Sequence, residues 1–137
     1  MQVLKSIMLA ASGMRAQSSR MRIIAQNLAN ANTTAETAGQ DPYRRQVPTF
    51  KNEVDRELGI PLVSMEKTVP DKAPFGKRFD PGHPAADELG YVKLPNVNGL
   101  VEVMDMREAQ RSFEANLQVV QSARAMLNGT LELLRRS

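Results

Sequence analysis

The sequence predicts an α+β fold, mainly α: a long amphipathic helix at each end, forming a coiled-coil layer, and a small irregular β-region between them. Three observations carry that expectation. All eight prolines lie between positions 42 and 95, so residues 1–32 and 101–137 are free of the residue that interrupts helices. Both proline-free ends repeat apolar residues every seven positions. The centre holds six of the eight glycines and five of the six aromatics, a composition suited to turns and short strands. The expected organisation is 1–32 as an N-terminal helix of the inner layer, 33–100 as a Pro/Gly-rich region of strand and loop, and 101–137 as a C-terminal helix of the inner layer.

In the first segment Ile7, Met14, Met21 and Leu28 recur every seven residues. Leu4, Ala11, Ser18 and Ala25 stand three positions ahead of each. Large residues thus line one seam and mostly small ones the other, and small side chains let a neighbouring helix approach closely. Ala10 and Ile24 widen the stripe. Its charges are all basic (Lys5, Arg15, Arg20 and Arg22).

The middle changes character. Val63, Met65 and Val69 alternate with polar positions, which predicts a strand over 62–69. Phe75 and Phe79 bracket a second extended piece, and Gly90-Tyr91-Val92-Lys93-Leu94, ended by Pro95, reads as a third. Asp80-Pro81-Gly82-His83-Pro84 is a turn cluster.

The last segment returns to seven-residue spacing with Met106, Phe113, Val120, Leu127 and Leu134. Val103, Leu117 and Leu131 fill three companion positions, while Gln110 and Arg124 break two others. Asn98-Gly99 signals a turn before this helix, and Asn128-Gly129 marks a weak point within it. Each helix would span roughly 40–50 Å at ~1.5 Å per residue, and such a helix needs partners along its length. An intramolecular hairpin and a layer completed by neighbouring subunits both satisfy the pattern. The acids Glu102, Asp105, Glu108 and Glu114 oppose the basic first helix, which favours selective pairing within or between chains.

Composition narrows the function classes. With no Trp and only six aromatics, the core must be built from Leu, Val, Ile, Met and Ala, which suits helix–helix contacts. Eighteen basic residues against fifteen acidic ones are close to balance and spread along the chain, so no nucleic-acid partner is expected. There is no Cys for disulfides or thiolate chemistry. No apolar run approaches the ~20 residues of a transmembrane segment. The stretch Ile7–Ala11 after Lys5 is shorter than the ~7–15-residue apolar core of a secretory signal, and no cleaved signal peptide is expected.

Chemistry is not legible either. His83 is the single histidine, in a turn, with no second His or Cys to complete a zinc site. The same His83 would have to serve any Ser–His–acid triad, and no serine sits in a nucleophile elbow. Glycines are scattered singly, without a phosphate-binding loop. No enzymatic activity, cofactor or metal is expected.

The run Ala11-Ser12-Gly13-Met14-Arg15-Ala16-Gln17, continued by Ile24-Ala25-Gln26-Asn27-Leu28-Ala29-Asn30-Ala31-Asn32-Thr33, resembles the N-terminal signature of flagellar axial proteins, the family of rod, hook and hook-associated subunits. Its core is Asn-Leu-Ala-Asn-x-x-Thr, carried here by Asn27, Leu28, Asn30 and Thr33, with Asn32 beside it. Asn30, Asn32 and Thr33 are suited to ending a helix and satisfying its last carbonyls. Two further stretches, Asp80–Pro84 with Gly90–Val97 and Arg111–Leu117, resemble rod members of the proximal type.

The resemblance implies a structural subunit of the bacterial flagellar basal-body rod, spanning the periplasm. It would polymerise through its terminal helices and transmit motor torque to the hook for motility. The implied partners are copies of itself, other rod proteins of the FlgB, FlgF and FlgG types, and the flagellar type III export apparatus. Subunit packing falls to Ile7, Met14, Met21, Leu28, Met106, Phe113, Leu117, Val120 and Leu127. Alternatives are a rod protein of the FlgB type and, from other classes, a basic helical nucleic-acid-binding protein or an amphipathic protein of membrane surfaces.

Overall fold

The computed structural model describes residues 2–137. Two helices enclose four strands in sequence: α1 Gln2–Ala29, β1 Gln46–Asp55, β2 Ile60–Pro70, β3 Gly76–Phe79, β4 Tyr91–Leu94 and α2 Gly99–Arg136. The terminal helices and the small β-region are those the sequence predicts. The strands form two two-stranded sheets, β1–β2 and β3–β4. The expected strand over 62–69 lies within β2, and the other two expected pieces are β3 and β4. Strand β1 was not expected. Its burial does not alternate and Pro48 interrupts it, a residue tolerated because every strand of a two-stranded sheet is an edge. Helix α2 runs through Asn128-Gly129 without a break.

The chain forms two compact units. One comprises the chain up to Met21, Thr49–Lys67 and Arg107–Ser137; the other comprises Arg22–Pro48 and Thr68–Met106.

In the first unit the helices run antiparallel. Gln2, Val3 and Ser6 face Val119, Ser122 and Met126, Met14 and Ser18 lie beside Phe113, and Arg20 pairs with Glu108 at 3.5 Å. Small residues set the closest approach. Ala10 and Ala16 of α1 and Ala109 and Ala123 of α2 are buried, and a Cβ on Gly13 would lie 2.7 Å from the Asn116 amide nitrogen. The buried Ser12 hydroxyl donates to the Leu9 carbonyl at 2.8 Å and accepts from the Val63 N–H at 3.4 Å, tying α1 to β2. The β1–β2 turn is closed by Asp55, whose carboxylate accepts the N–H groups of Glu57 and Leu58 at 2.9 and 3.1 Å.

In the second unit Ile23, Ile24 and Val92 form the buried apolar centre. Strands β3 and β4 pair antiparallel from Gly76↔Leu94 to Phe79↔Tyr91. The Phe79 and Tyr91 rings meet edge to face at 5.3 Å. Gly90 turns the chain into β4 at φ 85°, and a Cβ there would stand 2.9 Å from the Phe79 ring.

Candidate functional site

The nine positions expected to pack between helices divide by depth. Ile7, Met14, Met21, Leu28, Met106, Phe113, Leu117 and Val120 are half-buried, whereas Leu127 is exposed. On α2 the deepest positions of the first unit are instead Ala109 and Ala123, with half-buried Asn116 midway between them. These three step by seven and stand three residues beyond Met106, Phe113 and Val120. The inner seam of α2 is therefore narrow and lined by small residues, and the larger side chains flank it. Val103, expected as a companion, points outward, and the breaks at Gln110 and Arg124 lie one residue past the buried alanines.

That arrangement leaves grooves open along the helix pair. One of about 390 Å³ runs between Val3 and Ser6 of α1 and Val119, Ser122 and Met126 of α2. A second, of about 350 Å³, lies at Ala11, Met14, Ser18 and Phe113. Beyond Ala123 every residue of α2 is exposed, including Leu131, Leu133 and Leu134, each more than half accessible. The last turns of α2 thus carry an exposed apolar surface.

The Asn-rich end of α1 performs two separate tasks. Asn30 donates both its backbone N–H and its side-chain amide to the Gln26 carbonyl, at 3.1 and 2.9 Å, and its side-chain oxygen accepts the Thr33 hydroxyl at 3.1 Å. These bonds close the helix end. Asn32 is exposed. Asn27 faces inward and is buried. Its amide donates to the Gln46 carbonyl at 2.9 Å and its oxygen accepts the Gln46 N–H at 3.0 Å and the Tyr43 hydroxyl at 2.7 Å. One side chain thereby imitates a strand neighbour for the first residue of β1.

The same unit contains an ion network that sequence reasoning missed. Arg45 reaches three carboxylates with its three guanidinium nitrogens: Nε donates to Glu102, and the terminal nitrogens lie 3.1 Å from Asp71 and 3.6 Å from Asp105. The sequence sets Glu102 among the acids that oppose the basic first helix; its side chain is 0% exposed and bonds Arg45 instead, and its second oxygen has no hydrogen-bond partner among the described residues. Burial opposes the Arg45 charge; the bonds to Glu102 and then Asp71 outweigh it and hold the guanidinium above its ordinary pKa. The Ala73 N–H, and then Arg45, hold Asp71 below the usual carboxylate range. Burial, reinforced by the charge of Glu102, pushes the Tyr43 phenol up.

The turn of α2 around Glu102 is thus inverted, with a carboxylate inside and Leu100, Val101, Val103 and Met104 exposed. A seven-residue apolar count cannot register this, because the inner position is a charged one. His83, set aside as a turn residue, lies 3.1 Å from the Thr34 hydroxyl through Nε2 and accepts the Ala85 N–H on Nδ1 at 2.9 Å. Among the described residues no cluster of three or more His, Cys, Asp or Glu is arranged to hold a metal ion, and no helix is long and apolar enough to cross a membrane.

Comparison with known proteins matches both helical ends to flagellar families. Residues 7–35 match the family described as flagella basal body rod protein, and residues 88–133 match the family described as flagellar basal body rod FlgEFG protein C-terminal. The chain is 48% identical over 129 residues to the flagellar basal-body rod protein FlgC of Agrobacterium fabrum, covering 94% of this chain and 93% of that protein. The chain belongs to the FlgC family of flagellar basal-body rod proteins. FlgC of Borreliella burgdorferi is 35% identical, with 98% of this chain and 99% of that protein covered. FlgC of Salmonella typhimurium is also 35% identical, over 91% and 92%. The first family match takes in Asn27–Thr33 and the second takes in β4 and α2 through residue 133.

Proposed function

We propose that this chain is a structural subunit of the flagellar basal-body proximal rod, polymerising through α1 and α2 to carry torque from the motor to the hook. The observation that carries the reading is the unpartnered apolar surface of the helix pair, above all Leu127, Leu131, Leu133 and Leu134, in a member of a rod-protein family. A side chain left exposed in one subunit gains burial free energy of about 25 cal/mol per Å² when a neighbour covers it. Assembly then adds stability that the isolated chain lacks.

In this reading 1–32 and 101–137 build the inner coiled-coil layer and 33–100 lies outside it, against other rod proteins of the FlgB, FlgF and FlgG types. Ile7, Met14, Met21, Leu28, Met106, Phe113, Leu117, Val120 and Leu127 carry packing between subunits. The subunit leaves the cytoplasm through the flagellar type III export apparatus, takes its place in the part of the rod that crosses the periplasm, and performs no catalysis.

The test is complementation of a strain deleted for this gene, scored for motility and for completed rods. The wild-type gene restores both, and Met21→Asp, which sets a carboxylate on the half-buried stripe, abolishes both while the protein is still expressed. Normal swimming with Met21→Asp removes Met21 from the packing stripe; motility and intact rods in the deletion strain itself refute the rod assignment.

A further inference from the structure

We propose that Asn98 is a site of spontaneous covalent modification, converting to aspartate and isoaspartate in the folded protein, while the second Asn-Gly pair of the chain, Asn128-Gly129, is protected.

Asn98 caps α2. Its side-chain oxygen accepts the N–H groups of Leu100 and Val101 at 3.1 and 3.5 Å, and its main-chain carbonyl accepts the Glu102 N–H at 3.0 Å. The cap holds the side chain over the first turn of α2, on the same side as the N–H groups that follow Gly99. That amide has no hydrogen-bond partner among the described residues. Both residues are exposed to solvent, and Gly99 has no atom within 4 Å of where a Cβ would stand.

The reaction follows from these positions. Solvent hydroxide removes the Gly99 amide proton, and the nitrogen attacks Asn98 Cγ. A C–N bond forms, the bond from Cγ to the side-chain nitrogen breaks, and that nitrogen leaves as ammonia after taking a proton from water. The product is a five-membered succinimide. Water then adds to one of its two carbonyls and opens the ring to aspartate or to isoaspartate, the latter with the main chain rerouted through the side-chain carbon. Negative charge that develops on the Asn98 oxygen during attack meets the two N–H groups that already bond it, as in an oxyanion hole. The positive end of the α2 dipole also favours loss of the Gly99 proton.

Asn128-Gly129 is the internal control. It lies inside α2, where each N–H bonds the carbonyl four residues back. The Gly129 nitrogen is therefore unavailable and the helical backbone holds it away from the Asn128 side chain.

The two products differ in consequence. Aspartate keeps the cap, since Asp and Asn cap about equally well, and adds a negative charge at the helix start. In isoaspartate the main chain runs through Cβ and Cγ and the former Asn98 carbonyl that holds the Glu102 N–H becomes a pendant carboxylate, so the turn that carries Glu102 to Arg45 loosens.

The experiment ages the intact protein in mildly alkaline buffer, then measures amide-to-acid conversion by mass spectrometry in the tryptic peptides Leu94–Arg107 and Ala125–Arg135. Labelling with an isoaspartate-specific methyltransferase distinguishes the products. In the folded chain Asn98 converts at least about tenfold faster than Asn128, equivalent to ~1.4 kcal/mol in activation free energy, and in concentrated urea the two rates converge. Gly99→Ala, which the open space around Gly99 accommodates, keeps the nucleophilic amide but crowds it, and slows conversion at Asn98 by about tenfold or more. Equal rates in the folded protein, faster conversion at Asn128, or no conversion at Asn98 overturns the proposal.

Discussion

Replacing Arg45 by methionine removes the only cation that, among the described residues, is bonded to the buried Glu102 carboxylate. Glu102 is 0% exposed, and after the substitution neither of its oxygens has a donor among the described residues. Breaking a buried pair by deleting one partner costs about 3–5 kcal/mol, because the surviving charge stays desolvated. Asp71 and Asp105 have side chains 28% and 32% exposed, so they rehydrate, and their pairs with Arg45 add no more than about 1 kcal/mol each. The expected loss for Arg45→Met is therefore about 3–7 kcal/mol.

The reciprocal change is milder. Glu102→Met leaves Arg45 with Asp71 and Asp105 and costs less than half as much. In Arg45→Met/Glu102→Met both charges are gone, and stability returns to within about 2 kcal/mol of wild type, as when a buried ion pair is replaced by packed apolar groups. The assay is urea denaturation of all four proteins, followed by hydrogen exchange at the amides of Val92 and Glu102, which report on this unit separately from the other. The coupling energy comes from the double-mutant cycle. A loss below about 1 kcal/mol for Arg45→Met, or equal losses for the two single variants, would show that Glu102 finds water or another donor and would refute the argument.

Three further outcomes are expected. Asn27→Leu removes three hydrogen bonds, to the Gln46 N–H and carbonyl and the Tyr43 hydroxyl, costing about 2–4 kcal/mol at ~0.5–1.5 kcal/mol per bond to these half-buried residues; thermal melts measure it, with Asn30→Ala, at the exposed end of α1, costing under about 1 kcal/mol. Gly90→Ala and Gly39→Ala both place a side chain at positive φ, 85° and 89°. Only Gly90 adds a clash with the Phe79 ring, so it loses more than the ~1–3 kcal/mol of backbone strain that the two share; equal melting temperatures would deny the clash. Stability also falls at both pH extremes. The depressed Asp71 pKa gives stabilisation that is complete above its unfolded value of about 3.9 and lost as pH falls through the lower folded value. The raised Tyr43 pKa gives stabilisation that is complete below about 10 and lost as pH rises through the higher folded value. Asp71→Asn flattens the acid limb and Tyr43→Phe the alkaline limb of a pH-dependent denaturation series.

How much of this was legible in the sequence differs from element to element. Both long helices and three of the four strands follow from proline placement and apolar spacing, which are local signals. The Asn30–Thr33 helix end follows from residue chemistry within a few positions. Strand β1 escaped because an edge strand carrying Pro48 and exposed residues on both faces has no period to detect.

By itself the sequence determined the helical ends, the turn-rich centre, the lack of residues for common catalytic chemistry and, through the motif at Asn27–Thr33, the kinship with flagellar rod proteins. Only the tertiary structure decided which face of each helix turns inward. The spacing sets Met106, Phe113 and Val120 on the stripe of α2; within this chain Ala109, Asn116 and Ala123, three residues further on, lie against α1, because two helices approach most closely where side chains are smallest. It also decided that Glu102 lies inside and Leu100 outside. The donor that makes a buried carboxylate tolerable is Arg45, 57 residues away in the chain, and no local pattern encodes a bond across that distance.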